Sequence, residues 1–437
     1  MTQISTPHRA AVITPREIAY GNGTAVPARP EVGSDLVGIL NGTLGRFTQH
    51  SAIVVDGTAP AAFRAHSEAA KAAGWAHSKV DAWTLFYRED GRTVALGLRD
   101  AMSTRHLGVL FDKQTDPGVL ALHLDRYHQV TGNPWRGTPA TSAHNAIRLT
   151  WGNKAYQPVW SAPRIPASSD VGFISWSRPL SETEIRWGWL YTFDANSAYL
   201  GSAVNAEVAW GPLHHTGPQQ FDAGIPGYWH CDLPTALLEA LADPCRPPLL
   251  RTPRNGQAWL TTPYLKLLED LGYQCLIVDS WTGREEFRDG GGRLHPAGSR
   301  IFRSWSEGLR DGLRTAPEAV VLAAKRTYKD AVGGMQKEGM RISRRDWGES
   351  IIDLWRATLM RRIIRIYEGH GVWPVRVATD SVTYAAGPGL ESQLAEIVGC
   401  RPGLGGFHPE ETVTAAAWLE RYPVTQGGRR PRRSVTK

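Results

Sequence analysis

Two aspartates each follow a short apolar stretch and open a turn rich in hydroxyl side chains. Asp194 lies in YTFDANSAYL (191–200), and Asp380 lies in RVATDSV (376–382). Because they are far apart in sequence, only folding can bring the two carboxylates together. Side by side they would repel by about 4 kcal/mol at roughly 4 Å in a medium with an effective dielectric constant of about 20. One or two magnesium ions between them would turn this repulsion into a site that handles phosphate groups.

A third segment, KRTYKDAVGG (325–334), carries positive charge at helical spacing. Lys325 and Lys329 are one helical turn apart, so both ammonium groups lie on one face of the helix predicted there. Two cations on one face could hold a triphosphate. Taken alone, each of the three segments also has a plainer interpretation, since aspartates in turns and lysine pairs on helices usually just face water.

The sequence around these residues predicts the elements that would position them. WGWLYTFDANSAYL (187–200) predicts a strand that ends in a turn, and WPVRVATDSVTYAAG (373–387) predicts a hairpin with Asp380 at its tip. Residues 316–333 predict a helix with a proline near its start and a glycine at its end. Residues 349–371 predict a long amphipathic helix.

The chain of 437 residues is long enough for two or three domains, and its patterns predict an α/β (α+β) fold. Residues 1–45 are rich in Pro, Gly and Thr and are predicted to be a flexible segment. Residues 46–160 predict an α/β domain, and residues 165–422 predict a second domain beyond a connector rich in Pro and Ser. Residues 423–437 predict a basic tail.

Composition excludes several classes of protein. A hydrophobic fraction of 42% and a charged fraction of 21% are typical of a soluble globular protein. No apolar run is long enough for a membrane span, and the start lacks an apolar signal core, so a cytoplasmic location is expected. The four cysteines contain no C-x-x-C pair, which argues against zinc sites and disulfides. The net charge of +7 favours a polyanionic partner.

In their order along the chain, the three segments resemble motifs A, B and C of family B DNA polymerases. The closer likeness is to the protein-primed branch of phages and linear replicons. FDANSAYL is similar to D-x-N-S-L-Y-P, KRTYKDAVGG to K-x-x-x-N-S-x-Y-G, and RVATDS to Y-x-D-T-D-S. SDVGFISW (169–176) stands where the branch has Y-x-G-G followed by F-x-W. LGGFHPEETVTAAAWL (404–419) resembles its L-G-x-[WF]-x-x-E helix leading towards the thumb.

This resemblance implies a polymerase palm and fingers within residues 165–422, preceded by a ribonuclease-H-like, exonuclease-like domain. Asp194 and Asp380 would be the catalytic, metal-binding carboxylates, with the backbone carbonyl of Ala195 as a further metal ligand. Tyr199 would pack beneath the sugar and exclude a 2′-hydroxyl. The other implied nucleotide-binding residues are Ser197, Lys325, Lys329 and Arg314. The implied DNA-binding residues are Gly172, Phe173, Gly333 and Ser381.

The activity that the resemblance implies is template-directed DNA synthesis. A 3′-hydroxyl or a hydroxyl of a priming protein would attack a deoxynucleoside triphosphate, with Mg²⁺ or Mn²⁺ as the cofactor. The implied partners are a DNA template and primer, with a terminal protein as a further one.

Several positions depart from the family pattern. Ala378 replaces the first acid of D-T-D, and Arg376 replaces the usual tyrosine. In the lysine segment, Val332 stands in place of the tyrosine, and Leu200 replaces the proline of motif A. Few residues follow Tyr422, so a truncated thumb is expected.

Residues 46–150 contain no D-x-E of the kind that is typical of the family's exonuclease. Asp56 stands alone at the end of a predicted strand, and Glu89 and Asp90 lie in a predicted hairpin turn. A scaffold without proofreading is therefore expected there. Two alternatives to a working polymerase stay open. One is a catalytically silent polymerase fold that binds DNA as a telomere-associated replication protein. The other is a primase or an enzyme that deoxynucleotidylates a protein.

Overall fold

The structure is a computed structural model of the 437-residue chain. It describes residues 8–14, 16–27, 47–55, 68, 71–72, 74–80, 83–87, 89, 93–99, 115–135, 138–151, 157–163, 165, 167–171, 175–251, 253 and 255–422. The fold is mixed α/β, which confirms the predicted fold class. The chain divides into two compact units. The first unit comprises Met1–Arg164, Ala203–Pro212 and Arg284–Gly348. The second unit comprises Ile165–Ser202, Leu213–Gly283 and Glu349–Lys437.

The described residues form strands and helices that alternate irregularly along the chain. The strands are β1 (His8–Ile13), β2 (Glu17–Tyr20), β3 (Ala25–Pro27), β4 (Phe47–Val55), β5 (Ala76–Val80), β6 (Trp83–Tyr87), β7 (Thr93–Leu98), β8 (Ser175–Ser177), β9 (Trp189–Ala195), β10 (Val208–Ala209), β11 (His214–His215), β12 (Gly227–Asp232), β13 (Gln257–Thr261), β14 (Leu276–Thr282), β15 (Glu286–Arg288), β16 (Leu294–Pro296), β17 (Gly298–Ser299), β18 (Arg376–Ala378), β19 (Ser381–Ala386) and β20 (Phe407–Thr414). The helices are α1 (Pro117–Thr131), α2 (Pro139–Leu149), α3 (Glu182–Trp187), α4 (Ala198–Asn205), α5 (Thr235–Ala242), α6 (Thr262–Asp270), α7 (Arg303–Leu313), α8 (Glu318–Met335), α9 (Arg345–His370), α10 (Glu391–Val398) and α11 (Ala415–Arg421).

The first unit contains a seven-stranded sheet with the order β3-β2-β1-β4-β7-β6-β5. β1, β4 and β7 run parallel, and the remaining neighbours are antiparallel. α1 packs against β1 and β2. The N-terminal part of the chain is therefore built around a mixed sheet, in line with the α/β pattern of its sequence.

Part of the segment predicted to be flexible belongs to this sheet. β1, β2 and β3 all lie within residues 1–45, and Ala10, Ala11 and Val12 of β1 are fully buried. β1 can be covered on both faces because its AAVI run is continuously apolar. The prediction of a flexible segment is therefore wrong for these strands. The prediction gave more weight to the Pro, Gly and Thr content of the segment than to its one short apolar run.

Helix α8 carries the lysine segment, and it packs against α1 and α2 within the first unit. The Tyr127 and Thr327 hydroxyls are hydrogen-bonded at 2.8 Å across the contact with α1. The helix predicted over residues 316–333 is therefore present. However, residues 203–212 and 284–348 belong to the first unit, so the segment predicted as one polymerase-like domain contributes to both units.

The second unit is built on a five-stranded sheet with the order β20-β9-β19-β18-β8, in which all neighbouring strands are antiparallel. A four-stranded sheet has the order β11-β14-β12-β13. Apolar side chains of both sheets and of α9 share one buried cluster, which includes Phe193, Trp229 and Leu359. α9 confirms the predicted long amphipathic helix. Among the described helices, none is both long and apolar enough to cross a membrane.

The segment LGGFHPEETVTAAAWL differs from its predicted form. The prediction of a helix is wrong for its middle part, where β20 pairs with β9 along the edge of the five-stranded sheet. Only Ala415–Arg421 at its end is helical, with the Thr414 hydroxyl capping that helix. The pairing with β9 lies more than 200 residues away in sequence and leaves no local periodic signal.

Candidate active site

The backbone brings Asp194 and Asp380 together at one end of the five-stranded sheet. Asp194 is the sixth residue of β9, and Ser381, the first residue of β19, lies directly opposite it. The Ala195 N–H donates a hydrogen bond of 2.9 Å to the Asp380 carbonyl. Asp380 therefore sits against the end of β9, next to Asp194, and both side chains are half-buried.

Alternation along β9 assigns its side chains to two faces of the sheet. Phe193 and Ala195 belong to the buried cluster shared with α9. Thr192 and Asp194 therefore point to the opposite face, where the Thr192 and Thr383 hydroxyls are hydrogen-bonded at 3.0 Å. The Asp194 carboxylate thus lies on the sheet face that α9 does not cover.

One cross-strand row on this face contains Ser381, Asp194 and His408. Asp194 is opposite Ser381 on β19 and opposite His408 on β20, so the three side chains share a face at neighbouring positions. The Ser381 hydroxyl donates to the Ala378 carbonyl at 3.2 Å and so helps to close the hairpin. Sequence reasoning missed His408, which is exposed; only its pairing with Asp194 reveals it.

The turn after β9 is held by a pair of glycines. The Asn196 N–H donates to the Gly406 carbonyl at 2.8 Å, and the Gly405 N–H donates to the Asn196 carbonyl at 2.7 Å. Gly405 has a φ of 68°, and a side chain on Gly406 would run into the Arg401 carbonyl. Ser197 is buried, and with a φ of 52° it is a rare left-handed serine. Two hydrogen bonds to the glycines that precede β20 therefore define the shape of this turn.

Tyr199 lies on α4, in the electrostatic field of the site. Burial and, to a smaller extent, the nearby negative charge of Asp380 raise the pKa of its phenol to about 12, against the opposing effect of the positive charge of Arg356. The phenol is therefore protonated at neutral pH. Tyr199 is half-buried and packs against the cluster that contains Phe193.

The residues that the sequence singled out are divided between the two compact units. Asp194, Ala195, Ser197, Tyr199, Asp380 and Ser381 belong to the second unit, whereas Arg314, Lys325, Lys329 and Gly333 belong to the first. Within the first unit, Arg314 ends α7 and is exposed. On α8, Lys325 is half-buried, while Lys329 and Gly333 are exposed.

Some predicted positions lie outside the described residues, namely Gly172, Phe173, Asp56 and Asp90. Glu89 is described and is exposed. In the described part of the chain, no three or more His, Cys, Asp or Glu side chains gather in a way that could hold a metal ion. A cation at the candidate site would therefore rely on the aspartate pair.

Sequence reasoning also missed two buried carboxylates on α9. Glu349 accepts hydrogen bonds from the Ser169 N–H at 2.9 Å and the Tyr228 hydroxyl at 2.8 Å. Asp353 accepts from the Ser169 hydroxyl at 2.6 Å and the Thr261 hydroxyl at 2.7 Å. Burial raises the pKa of Asp353 to about 7. Their spacing of four residues, which places both acids on one face of the helix, was the available signal.

Comparisons with known proteins support a fold and no closer relationship. No protein-family model matches the sequence, and none of the curated proteins is detectably similar to it. Phi29 DNA polymerase, in its ternary complex with primer-template DNA and incoming nucleotide substrates, matches with a TM-score of 0.51 and 11% identity, covering 93% of this chain and 85% of the other. This match shows that the chain shares the fold of that polymerase.

Two further solved structures are similar at lower scores. The Phi29 polymerase complexed with primer-template DNA alone matches with a TM-score of 0.46 and 12% identity over 91% of this chain and 80% of the other. The family B DNA polymerase of the hyperthermophilic archaeon Pyrobaculum calidifontis matches with a TM-score of 0.35 and 13% identity over 91% of this chain and 53% of the other.

Proposed function

We propose that the chain is a template-directed DNA polymerase of the protein-primed family B type, acting in DNA replication. The observation that carries this proposal is the hydrogen bond between Ala195 and the Asp380 carbonyl, which fixes two carboxylate residues at one end of an antiparallel sheet. This is the arrangement that motifs A and C would need. The polymerase-like fold adds support at the level of architecture.

The aspartate pair fits a magnesium site. Mg²⁺ binds through one or two carboxylates and completes its shell with waters and substrate phosphates, so Asp194 and Asp380 suffice without a third acid. The Ala195 carbonyl is the further proposed ligand, and Mn²⁺ would bind the same oxygen donors. Bound divalent cations would lower the pKa of the attacking hydroxyl and stabilise the leaving pyrophosphate. Without a cation, the two carboxylates would repel each other.

The other predicted residues keep the roles that the family resemblance implies. Tyr199 would pack beneath the deoxyribose, and Ser197 would lie near the triphosphate. Lys325, Lys329 and Arg314 would neutralise the phosphates. Gly172, Phe173, Gly333 and Ser381 would contact the DNA template and primer. A terminal protein that supplies the first hydroxyl is the further proposed partner.

The test is incorporation of labelled deoxynucleotide on a primed template with Mg²⁺. We expect Asp194→Asn and Asp380→Asn each to lower the rate by about 1,000-fold, the equivalent of several kcal/mol of lost electrostatic stabilisation. Asp279→Asn is the matched control, because Asp279 is in the same unit but pairs with His215 in the four-stranded sheet. Full activity in either site variant would contradict the proposal.

One observation favours a second function. Ala378 flanks the hairpin tip where the family has an acid, so the site offers one carboxylate fewer. A catalytically silent fold that binds DNA ends would tolerate this change. DNA binding without incorporation, in either Mg²⁺ or Mn²⁺, would support that function. Label transferred to a serine, threonine or tyrosine of a partner protein, without a DNA primer, would instead indicate protein deoxynucleotidylation.

A further inference from the structure

The hairpin tip that carries Asp380 has an unfavourable backbone. Thr379 and Asp380 are the only two residues between β18 and β19, and Thr379 has a φ of 56°. A β-branched residue rarely adopts this left-handed conformation, because its side chain crowds the backbone. Such a conformation persists only where the surrounding structure holds it. The position of Asp380 therefore depends on what restrains Thr379.

A tryptophan in the middle of α9 makes contact with this tip. The indole N–H of Trp355 donates a hydrogen bond of 3.2 Å to the Thr379 carbonyl. Trp355 is buried, with 3% of its surface exposed, and belongs to the cluster that contains Phe193. The helix thus reaches the tip through one directional bond from a side chain whose ring is fixed by packing.

The same indole also lies close to Phe407 and Gly405, which hold the end of β9 and the turn that follows it. Its ring centroid is 6.5 Å from that of Phe407, which pairs with Ala195 across the sheet. A Cβ on Gly405 would lie 3.9 Å from the indole ring, and Gly405 is bonded to Asn196 in the turn after β9. One side chain therefore contacts the supports of both aspartate-bearing segments.

We propose that Trp355 is a positioning residue that holds the Asp380 tip against the Asp194 end of β9. Its N–H restrains the Thr379 carbonyl, which keeps the tip in the shape that lets the Asp380 carbonyl accept from Ala195. The sequence motifs give Trp355 no role, since it lies outside all three. The catalytic consequence rests on the proposed function, whereas the structural consequence does not.

The direct test is hydrogen exchange at the Ala195 amide in Trp355→Phe. This change keeps an aromatic ring in the cluster and removes the donor. Loss of one hydrogen bond corresponds to about a tenfold change in an equilibrium, so we expect the Ala195 amide to exchange about tenfold faster. The Phe193 amide, farther along β9, should exchange at an unchanged rate. An unchanged rate at Ala195 in the folded variant would overturn the proposal.

Trp229→Phe is the matched control. Trp229 is fully buried in the same cluster, and its indole N–H donates to the Thr262 hydroxyl at 2.9 Å, away from the hairpin. It loses the same type of bond, so a general loosening of the unit would appear in both variants. An equal acceleration at Ala195 in Trp229→Phe would assign the effect to packing and contradict the proposal.

A second variant separates the loss of the N–H from the packing defect that the smaller phenyl ring could cause. A chain with 3-benzothienylalanine at position 355 keeps the bicyclic shape and has sulfur in place of the N–H. It should show the same faster exchange at Ala195. In primer extension, both variants should need about tenfold more Mg²⁺ for half-maximal rate than the wild type. If the wild type incorporates no nucleotide, the proposed function fails, while the exchange data still decide the role of Trp355.

Discussion

At the scale of single residues, the site depends on backbone positions that are costly to adopt. Ser197 and Thr379 are both non-glycine residues with positive φ. Thr379 directly precedes Asp380, and Ser197 lies three residues after Asp194. Strain of this kind costs about 1–3 kcal/mol per residue and is held by surrounding contacts. Here the contacts come from Gly405, Gly406 and Trp355. The backbone beside each aspartate is therefore held in part by neighbours that carry no charge.

Tyr199 offers a prediction about sugar selectivity. If its ring packs beneath the deoxyribose, Tyr199→Ala should reduce discrimination against ribonucleotides by about 10- to 100-fold. The reason is that removing the phenol ring leaves room for a 2′-hydroxyl. The measurement is the ratio of kcat/KM for a deoxynucleotide to that for its ribonucleotide. Tyr367→Ala is the control, since Tyr367 is exposed on α9 and stacks on Trp373. An active Tyr199→Ala enzyme with unchanged selectivity would reject the role.

At the scale of elements, helix α8 is docked through a histidine that must stay neutral. The Ile342 N–H donates to Nδ1 of His144 at 3.3 Å, so Nε2 carries the proton and donates to the Ala331 carbonyl at 2.9 Å. A proton on Nδ1 would face a donor. Burial and, to a smaller extent, the positive charge of Arg341 lower the pKa of His144 to about 4, against the opposing effect of the hydrogen bond to Ala331.

This histidine predicts an acid-sensitive first unit. Between pH 6.5 and about 4, the unfolded chain binds a proton at His144 that the folded chain excludes. The free energy of unfolding should therefore fall by up to a few kcal/mol as the pH drops through this window, and His144 should contribute no pH dependence above it. Urea unfolding of wild type and His144→Gln at pH 7 and pH 5 measures the effect.

We expect His144→Gln to be less stable than the wild type at pH 7, by about 1–3 kcal/mol, because a buried hydrogen-bonded group is replaced imperfectly. The difference in the free energy of unfolding between the two proteins should be smaller at pH 5. The wild type loses stability as the pH falls, whereas glutamine does not titrate. His370→Gln, at the exposed end of α9, should follow the wild type at both pH values. A gap that stays constant between pH 7 and pH 5 would contradict the assignment.

At the scale of the whole molecule, local patterns were sufficient for some elements and not for others. The proline near the start and the glycine at the end of residues 316–333 predicted α8, and the helical periodicity of residues 349–371 predicted α9. The apolar stretch before Asp194 predicted β9. β20 was wrongly predicted to be a helix because its pairing with β9 leaves no signal in the local sequence. β1 was missed because its apolar run is short.

The supporting residues of the site could not be predicted for a related reason. Glu349 and Asp353 bond Ser169, about 180 residues away, and Trp355 bonds a carbonyl of the hairpin tip. The hydrogen-bond partners of these side chains do not follow from residue type or spacing. The membership of residues 284–348 in the first unit was equally hidden, since it depends on which helices pack together.

The proposed function requires that Asp194 and Asp380 share a divalent cation. The most direct measurement is Mn²⁺ binding, followed by electron paramagnetic resonance, in the wild type, the two single asparagine variants and the double variant. If the carboxylates share an ion, either single change should weaken binding at this site by about tenfold or more, and the double change should add little further. Unchanged Mn²⁺ affinity in both single variants, or fully additive losses in the double variant, would show that the two carboxylates do not share a cation.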